Sequence, residues 1–250
     1  MFRHKGKGRT YLHNLKLAST LSGVAGIVNI VGVLAVNTLT TNVTGHFAFF
    51  SEQLFLGEFH KALVFLLYIG CFLSGAFVSS LLMEWTSKHA PRTSYIAPIL
   101  LEVALIGSAS MLDIVVATQF YYATLVACIL LFAMGLQNAL VTRVSQSVVR
   151  TTHLTGLFTD LGIELSQLLF YREKSQRSKL LKSIFLRLMI ISCFFLGGIL
   201  GGLIYLHLGL KTLLFPVGLL LFALWYDNLL IRYYHFKRKI RDHWHELPFH

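Results

Sequence analysis

The sequence predicts an all-α, polytopic membrane protein with about six transmembrane helices. Three observations support this fold class. The chain is 55% hydrophobic and only 13% charged, with a mean hydropathy of +0.66. Several of its apolar runs reach the ~20 residues that a helix needs to cross a bilayer. Two stretches of the chain also resemble each other, which predicts two related halves of three spans each.

The apolar runs follow one another between two basic tails, at residues 1–16 and 233–250. The first run is longer than the apolar core of a signal peptide, so we expect it to remain in the protein as span 1. The three cysteines lie inside apolar runs, which is typical of packing residues and not of a disulfide framework or zinc site. Residues 17–232 should form one transmembrane domain, whose expected spans are about 17–36, 59–83, 95–112, 120–140, 184–206 and 213–231.

Basic residues are concentrated on one side of this arrangement. The two tails and the segments 84–94 and 141–182 hold nearly all of the 22 Lys and Arg residues. By the positive-inside rule these segments are cytoplasmic, so we expect both termini in the cytoplasm and the protein in a plasma (inner) membrane. This rule also accounts for the net charge of +11. No nucleic-acid-binding motif accompanies the charge, so the expected partner is the lipid bilayer and not nucleic acid.

The two halves are expected at about 17–117 and 118–232. Asn29 of the first half matches Asn138 of the second, and a Thr-Gly pair follows each of them. Because each half has three spans, an odd number, the second half enters the membrane from the opposite side. The sequence therefore predicts an inverted repeat, which many secondary transporters use to build a site near the bilayer midplane.

Spans 2 and 5 strengthen the repeat. Without a gap, Cys71 matches Cys193 and Gly75 matches Gly197, with further small residues opposite small residues. Small residues allow transmembrane helices to approach closely. We therefore expect tight helix packing along these faces, and a homodimer through them is a further expectation.

A polar turn containing Thr-Gly follows span 1 and again follows span 4. Thr and Asn are good helix N-caps, so a short amphipathic or re-entrant helix is expected after each turn. Free N–H groups at helix starts bind anions, and unwound carbonyl groups bind cations. The turns are thus a predicted solute or ion site, although capped interfacial helices without any ligand would show the same pattern. The candidate residues are Thr41, Thr44, Gly45, His46, Thr152, Thr155, Gly156 and Asp160.

Polar side chains inside the spans complete the candidate site. Glu102 lies within span 3, where a carboxylate is unfavourable and by default a functional candidate. The alternative is a group without function that is protonated or paired within the bundle, with Arg143 or Arg187 as a candidate partner. The other candidates are expected to hydrogen-bond across helices, as polar side chains in bundles do. They are Asn29, Gln137 and Asn138.

The run Gly135-Leu136-Gln137-Asn138-Ala139, followed by Thr151-Thr152 and Thr155-Gly156, is similar to the YoaK-like family of uncharacterised polytopic membrane proteins. The similarity covers about residues 15–232. The first turn departs from the family pattern, because His46 follows Gly45 where the family often has Asn. The resemblance implies an all-α membrane fold and a membrane location. The family is a domain of unknown function, so it implies no activity.

Enzyme signatures are missing: we find no G-x-S-x-G elbow, no H-E-x-x-H and no P-loop. We therefore expect a protein that is not an enzyme, with no catalytic residue, metal site or cofactor. His243 and His245 have metal-like spacing but no further partners.

Two main hypotheses for function remain, and a third, an intramembrane enzyme, is the weakest because we find no nucleophile–base pair. The first is a small transporter-like permease for a small solute or ion, coupled to protonation of Glu102. The alternative is a non-transporting membrane scaffold that binds lipid or a partner protein through its basic cytoplasmic face. A permease predicts a polar cavity reached by Glu102, Asn29 and Asn138, whereas a scaffold predicts a dry, fully packed interior.

Overall fold

The computed structural model describes residues 2, 10–89, 93–112 and 120–227, and the regular secondary structure in these ranges is entirely helical. The all-α prediction is confirmed. Half of the N-terminal basic tail and all of the C-terminal one, with His243 and His245, lie outside the described residues, as does the connection 113–119. The helices are α1 (Tyr11–Val36), α2 (Val43–Phe55), α3 (Phe59–His89), α4 (Ile96–Ser110), α5 (Phe120–Ser145), α6 (Leu154–Phe170), α7 (Lys174–Leu208) and, after a 3-10 turn at Gly209–Leu213, α8 over 214–227.

Four helical stretches are long and apolar enough to cross a membrane. They are Tyr11–Val36, Phe59–Lys88, Tyr121–Ser145 and the run Lys174–Asp227. The apolar helix α4 is shorter. These lengths support an integral membrane protein, while the count of six spans stays a prediction.

The most extensive contacts join a helix of one half to a helix of the other. α1 packs along α7, and α3 packs along α5. At the first seam, a Cβ on Gly26 would lie 2.1 Å from the carbonyl oxygen of Phe194. At the second, a Cβ on Gly135 would lie 2.1 Å from the carbonyl oxygen of Phe72. Only glycine allows backbones to approach this closely. Gly26 aligns with Gly135, and Phe194 aligns with Phe72, so equivalent residues build both seams.

α1 and α5 run in opposite directions. The carbonyl oxygen of Leu21, in the first half of α1, accepts a hydrogen bond of 2.9 Å from Nε2 of Gln137, late in α5. At the other end, Val36 packs against a cluster that contains Ala127, early in α5. The turn after α1 and the turn after α5 therefore lie at opposite ends of the bundle. The cross-helix hydrogen bond expected for Gln137 is confirmed.

The chain reverses direction at Gly209, whose φ of 53° favours glycine. α7 runs in the same direction as α1, because Gly26 approaches Phe194 and Ile30 approaches Gly201. α8 returns toward the start of α1, where Nζ of Lys16 lies 5.6 Å from the centroid of a Tyr226 ring. The helical run from 174 to 227 is thus a pair of antiparallel helices.

Residues 171–182 are a basic insert in the second half of the chain, and this insert is largely helical. From Lys174 onward it forms the first turns of α7. Lys, Arg and Gln lose little side-chain freedom in a helix and are good helix formers, so a polar sequence extends the apolar span without a break. The insert therefore lengthens α7 beyond the apolar segment predicted at 184–206.

Candidate functional site

The turn after α1 is fastened to α1 by an asparagine. Asn37 ends the helix with a left-handed φ of 51°. The backbone N–H and Oγ1 of Thr41 then donate to Oδ1 of Asn29, at 3.3 and 2.9 Å. Oδ1 of Asn42 accepts from the N–H of Gly45 at 3.0 Å and caps α2. The predicted capped helix is confirmed. The prediction that Asn29 bonds to another helix is wrong, because it holds the turn that follows its own helix.

His46 is buried beside the turn that follows α1. Its side chain is 1% exposed, and Nε2 donates to the carbonyl oxygen of Leu39 at 2.7 Å. Its ring lies 5.4 Å from the ring of Tyr68. Burial lowers the pKa of His46, and the hydrogen bond to Leu39 opposes this effect. The fold therefore favours the neutral imidazole, since a buried cation would leave Nδ1 without an acceptor in the described structure.

Aromatic rings fill the space between α2 and α3. The ring centroids of Phe49 and Phe65 are 5.3 Å apart, and those of Phe65 and Tyr68 are 6.0 Å apart. Tyr68 also lies close to Thr38 and Thr124. These contacts join the first turn to α3 and α5.

The turn after α5 is also fastened to its own helix by a Thr–Asn hydrogen bond, but its helix start is built differently. Oγ1 of Thr152 donates to Oδ1 of Asn138 at 2.7 Å, as Thr41 donates to Asn29. Asn138 thus also holds its own turn, against the expected cross-helix bond. His153 stands at the start of α6 but makes no capping hydrogen bond with its side chain. Its ring lies over Gly156, where a Cβ would be 2.6 Å from Nδ1.

A polar pocket of about 410 Å³ opens beside this second turn. Arg187 of α7 forms part of its wall and donates from Nε and Nη2 to Glu164, at 3.0 and 2.9 Å. Nη2 also lies 3.5 Å from Oδ2 of Asp160. The guanidinium group of Arg187 therefore lies beside two carboxyl groups. The polar lining residues are Ser147, Arg150, His153, Asp160, Ser183 and Arg187.

The two ends differ at two matched positions. When the gap-free alignments of the turns and of spans 2 and 5 are extended, Phe49 matches Asp160 and Phe65 matches Arg187. An aromatic contact at one end is thus replaced by an ion pair at the other. Beside the first turn these positions hold two aromatic rings, and beside the second turn they hold charged groups.

A family model described as "Protein of unknown function (DUF1275)" matches residues 17–226. This chain belongs to the DUF1275 family. The match covers both seams and both turns, and it is consistent with the YoaK-like resemblance. Searches of curated proteins and of solved structures return no match. The activity of this DUF1275 chain must therefore be argued from its geometry.

Glu102 of the DUF1275 chain lies in the core. It is fully buried, and neither carboxylate oxygen has a hydrogen-bond partner among the described residues. Its expected pairing with Arg143 or Arg187 is wrong, because Arg143 pairs with Glu84 and Arg187 pairs with Glu164. An isolated carboxylate in an apolar core is unfavourable, so we expect the neutral acid.

The predicted site residues of the DUF1275 chain fall into separate places. One group lies at each turn, where Thr44 and Thr155 are exposed on the first turns of α2 and α6. Asn29 lines an apolar groove of about 790 Å³ between α1, α6 and α7. Glu102, Gln137 and Asn138 line neither this groove, nor the polar pocket beside the second turn, nor a third pocket at the start of α7. The polar cavity expected to join Glu102, Asn29 and Asn138 is therefore not among these pockets.

Sequence reasoning did not assign Arg150, His153 and the Arg187–Glu164 pair to the site. The positive-inside rule already explained the arginines, and that explanation concealed their role as pocket walls. The repeat carried the missing signal. The charged residue Arg187, at the position aligned with Phe65, marks a place where the two halves differ.

Proposed function

We propose that this chain is a small permease-like membrane protein for a small solute or ion, built from two inverted halves. Equivalent glycine contacts at the α1–α7 and α3–α5 seams support this architecture. So does the placement of the two Asn-fastened turns at opposite ends of the bundle. Inverted halves of this kind form the pseudo-two-fold site of many secondary transporters.

In this proposal α4 and α8 also cross the membrane, and the end that carries the second turn is cytoplasmic. The charges support the orientation. Arg143, Arg150, Arg172 and Lys174 lie at or beside this end, whereas residues 37–58 contain neither Lys nor Arg. Both termini then lie in the cytoplasm, as the positive-inside rule predicts.

The observation that carries the permease proposal is the difference between the two turns. A permease that works by alternating access is open toward only one side at a time. Here a polar pocket lies at the proposed cytoplasmic end, and packed rings occupy the equivalent place at the other end. We interpret this as the entrance for a solute from the cytoplasmic side.

Thermal stabilisation of the detergent-purified chain tests this proposal. A ligand that binds only the folded protein raises its apparent stability by mass action. The panel should contain small anions, cations, amino acids and nucleobases. We expect one class to raise the Tm in a saturable manner, and the Arg150→Gln variant to lose the effect. Arg150 is exposed and has no ion pair among the described residues, so its replacement should leave the fold intact.

Arg172→Gln is the matched control, because Arg172 is also an exposed arginine in the same basic segment but does not line the pocket. Equal losses in both variants would show a general charge effect and contradict a pocket ligand. The absence of a saturable shift across the panel would favour the scaffold hypothesis.

A second pocket favours the alternative function, a membrane scaffold that binds lipid. This pocket of about 470 Å³ lies at the start of α7 and combines Lys174, Arg177 and Lys182 with Tyr11 and Phe185. Cationic groups beside apolar and aromatic ones suit an anionic phospholipid at the membrane surface. The scaffold predicts anionic lipid that co-purifies with the chain and is lost in the Lys174→Gln, Arg177→Gln, Lys182→Gln triple variant. Native mass spectrometry would measure the bound lipid.

A further inference from the structure

Two cysteines from different halves meet at the α3–α5 seam. Cys71, on α3, and Cys128, on α5, lie within interaction distance of each other. Both side chains are partly buried and pack against the same small cluster, formed by Tyr68, Ala127 and Leu131. The two thiols are therefore neighbours at this seam, within one packing cluster.

The equivalent seam between α1 and α7 lacks this pair. In the gap-free alignments Cys71 matches Cys193, but Cys128 matches Ser19. Oγ of Ser19 donates to the carbonyl oxygen of Leu15 at 2.8 Å. The glycine contacts show that both seams are built alike, so the fold accepts a Cys–Ser combination where the other seam has two thiols. The dithiol is therefore not required by the packing.

Two thiols without further metal-binding side chains in the described part of the chain favour one class of metal ion. Sulfur ligands select soft cations such as Cu(I), and Ag(I) has similar preferences. No group of three or more His, Cys, Asp or Glu side chains capable of holding a metal occurs among the described residues, so a four-coordinate zinc site does not fit. Two sulfur atoms from neighbouring helices suit a two-coordinate monovalent ion.

We propose that Cys71 and Cys128 form a binding site for one soft monovalent metal ion, Cu(I) or Ag(I), that bridges α3 and α5. Each thiol releases its proton as its sulfur bonds to the metal. Two S–H bonds are broken and two metal–sulfur bonds form, with no change in oxidation state. The site is connected to the first turn, because Tyr68 packs beside the thiols and its ring lies 5.4 Å from the ring of His46. Metal binding should therefore stabilise the end of the bundle that the aromatic rings close.

Silver retention by the purified full-length chain tests the proposal. The chain is loaded with Ag(I), passed through a desalting column with a large excess of glutathione, and analysed for silver per chain. A monothiol site loses its metal to glutathione, whereas two thiols held together act as a chelate with a high effective concentration. We expect one silver ion per chain in the wild type and in Cys193→Ser, and none in Cys128→Ser or Cys71→Ser.

Cys128→Ser reproduces the Cys–Ser combination of the other seam, so it should fold. Equal silver retention in Cys128→Ser and the wild type, or none in the wild type, would overturn the proposal. A second measurement needs no variant. Maleimide labelling with peptide mapping should show that Ag(I) protects Cys71 and Cys128 while Cys193 stays reactive. Equal protection of all three cysteines, or of none, would identify adventitious binding only.

Discussion

Single glycines set how closely the helices of each seam approach. A methyl group on Gly135 would collide with the backbone of Phe72, which cannot move aside as a flexible side chain would. We expect Gly135→Ala to destabilise the protein by about 1–3 kcal/mol through overpacking. Thermal unfolding in detergent measures the loss. Gly107→Ala is the matched control, because a Cβ on Gly107 of α4 would have no atom within 4 Å. A stable Gly135→Ala variant would contradict the close contact.

Glu102 provides a second test on a single side chain. Because its carboxyl group is fully buried without a described partner, we expect it to be neutral. Glu102→Gln keeps the shape and the neutral charge, so the free energy of unfolding should change by less than about 0.5 kcal/mol. Chemical denaturation in detergent measures this change. A much larger loss would mean that Glu102 is charged and paired in the folded protein.

His46 should make stability depend on pH. Burial lowers its pKa in the folded chain, so below the ordinary value of about 6.5 the unfolded chain binds the proton more readily. The contribution of His46 is complete above that pH and is lost progressively as the pH falls. The Tm measured over about pH 5 to 8 should therefore fall with acidification, and less steeply in His46→Gln. His60→Gln, at an exposed position on α3, should keep the wild-type slope.

The short helices α2 and α6 are held to the bundle by different forces. α2 packs through the rings of Phe49 and Phe65, whereas α6 is joined to α7 by Glu164 and Arg187. Glu164→Gln removes the charge that accepts three hydrogen bonds from α7, so we expect a loss of about 1–3 kcal/mol. The unfolding free energy measures the effect. Glu173→Gln changes an exposed glutamate in the same region and should be nearly neutral; equal effects would contradict a specific role.

The positions of α2 and α6 could be predicted from the sequence better than their contacts could. The Thr-Gly turns indicated where both helices begin, because helix capping depends on residues close in sequence. The bond of Asn29 to Thr41 and the absence of a described partner for Glu102 were not predictable, because both depend on the three-dimensional arrangement of the chain. Asn29 holds the turn twelve residues later in the chain, and Arg187 finds Glu164 on the preceding helix. Composition limits such choices but does not select among them.

The whole molecule has two ends that can be distinguished by labelling. Glu58 lies between α2 and α3 at one end, and Arg172 lies between α6 and α7 at the other; both are exposed. In a variant without the native cysteines, Glu58→Cys should react with a membrane-impermeant maleimide on intact cells. Arg172→Cys should react only after permeabilisation. The reverse pattern would contradict the proposed orientation, and labelling of both on intact cells would contradict the inverted arrangement.

Each glycine seam joins two helices that the ribosome synthesises at different times. α1 leaves the ribosome long before its partner α7, and α3 must wait for α5. During synthesis the apolar faces of the first half therefore have no partner and depend on lipid or an insertion chaperone for cover. Neither half should be stable alone, yet two fragments divided within 113–119 should assemble when produced together. The fold is then complete only after the last helix has docked, so quality control in the cell would act on chains in which this helix has not docked.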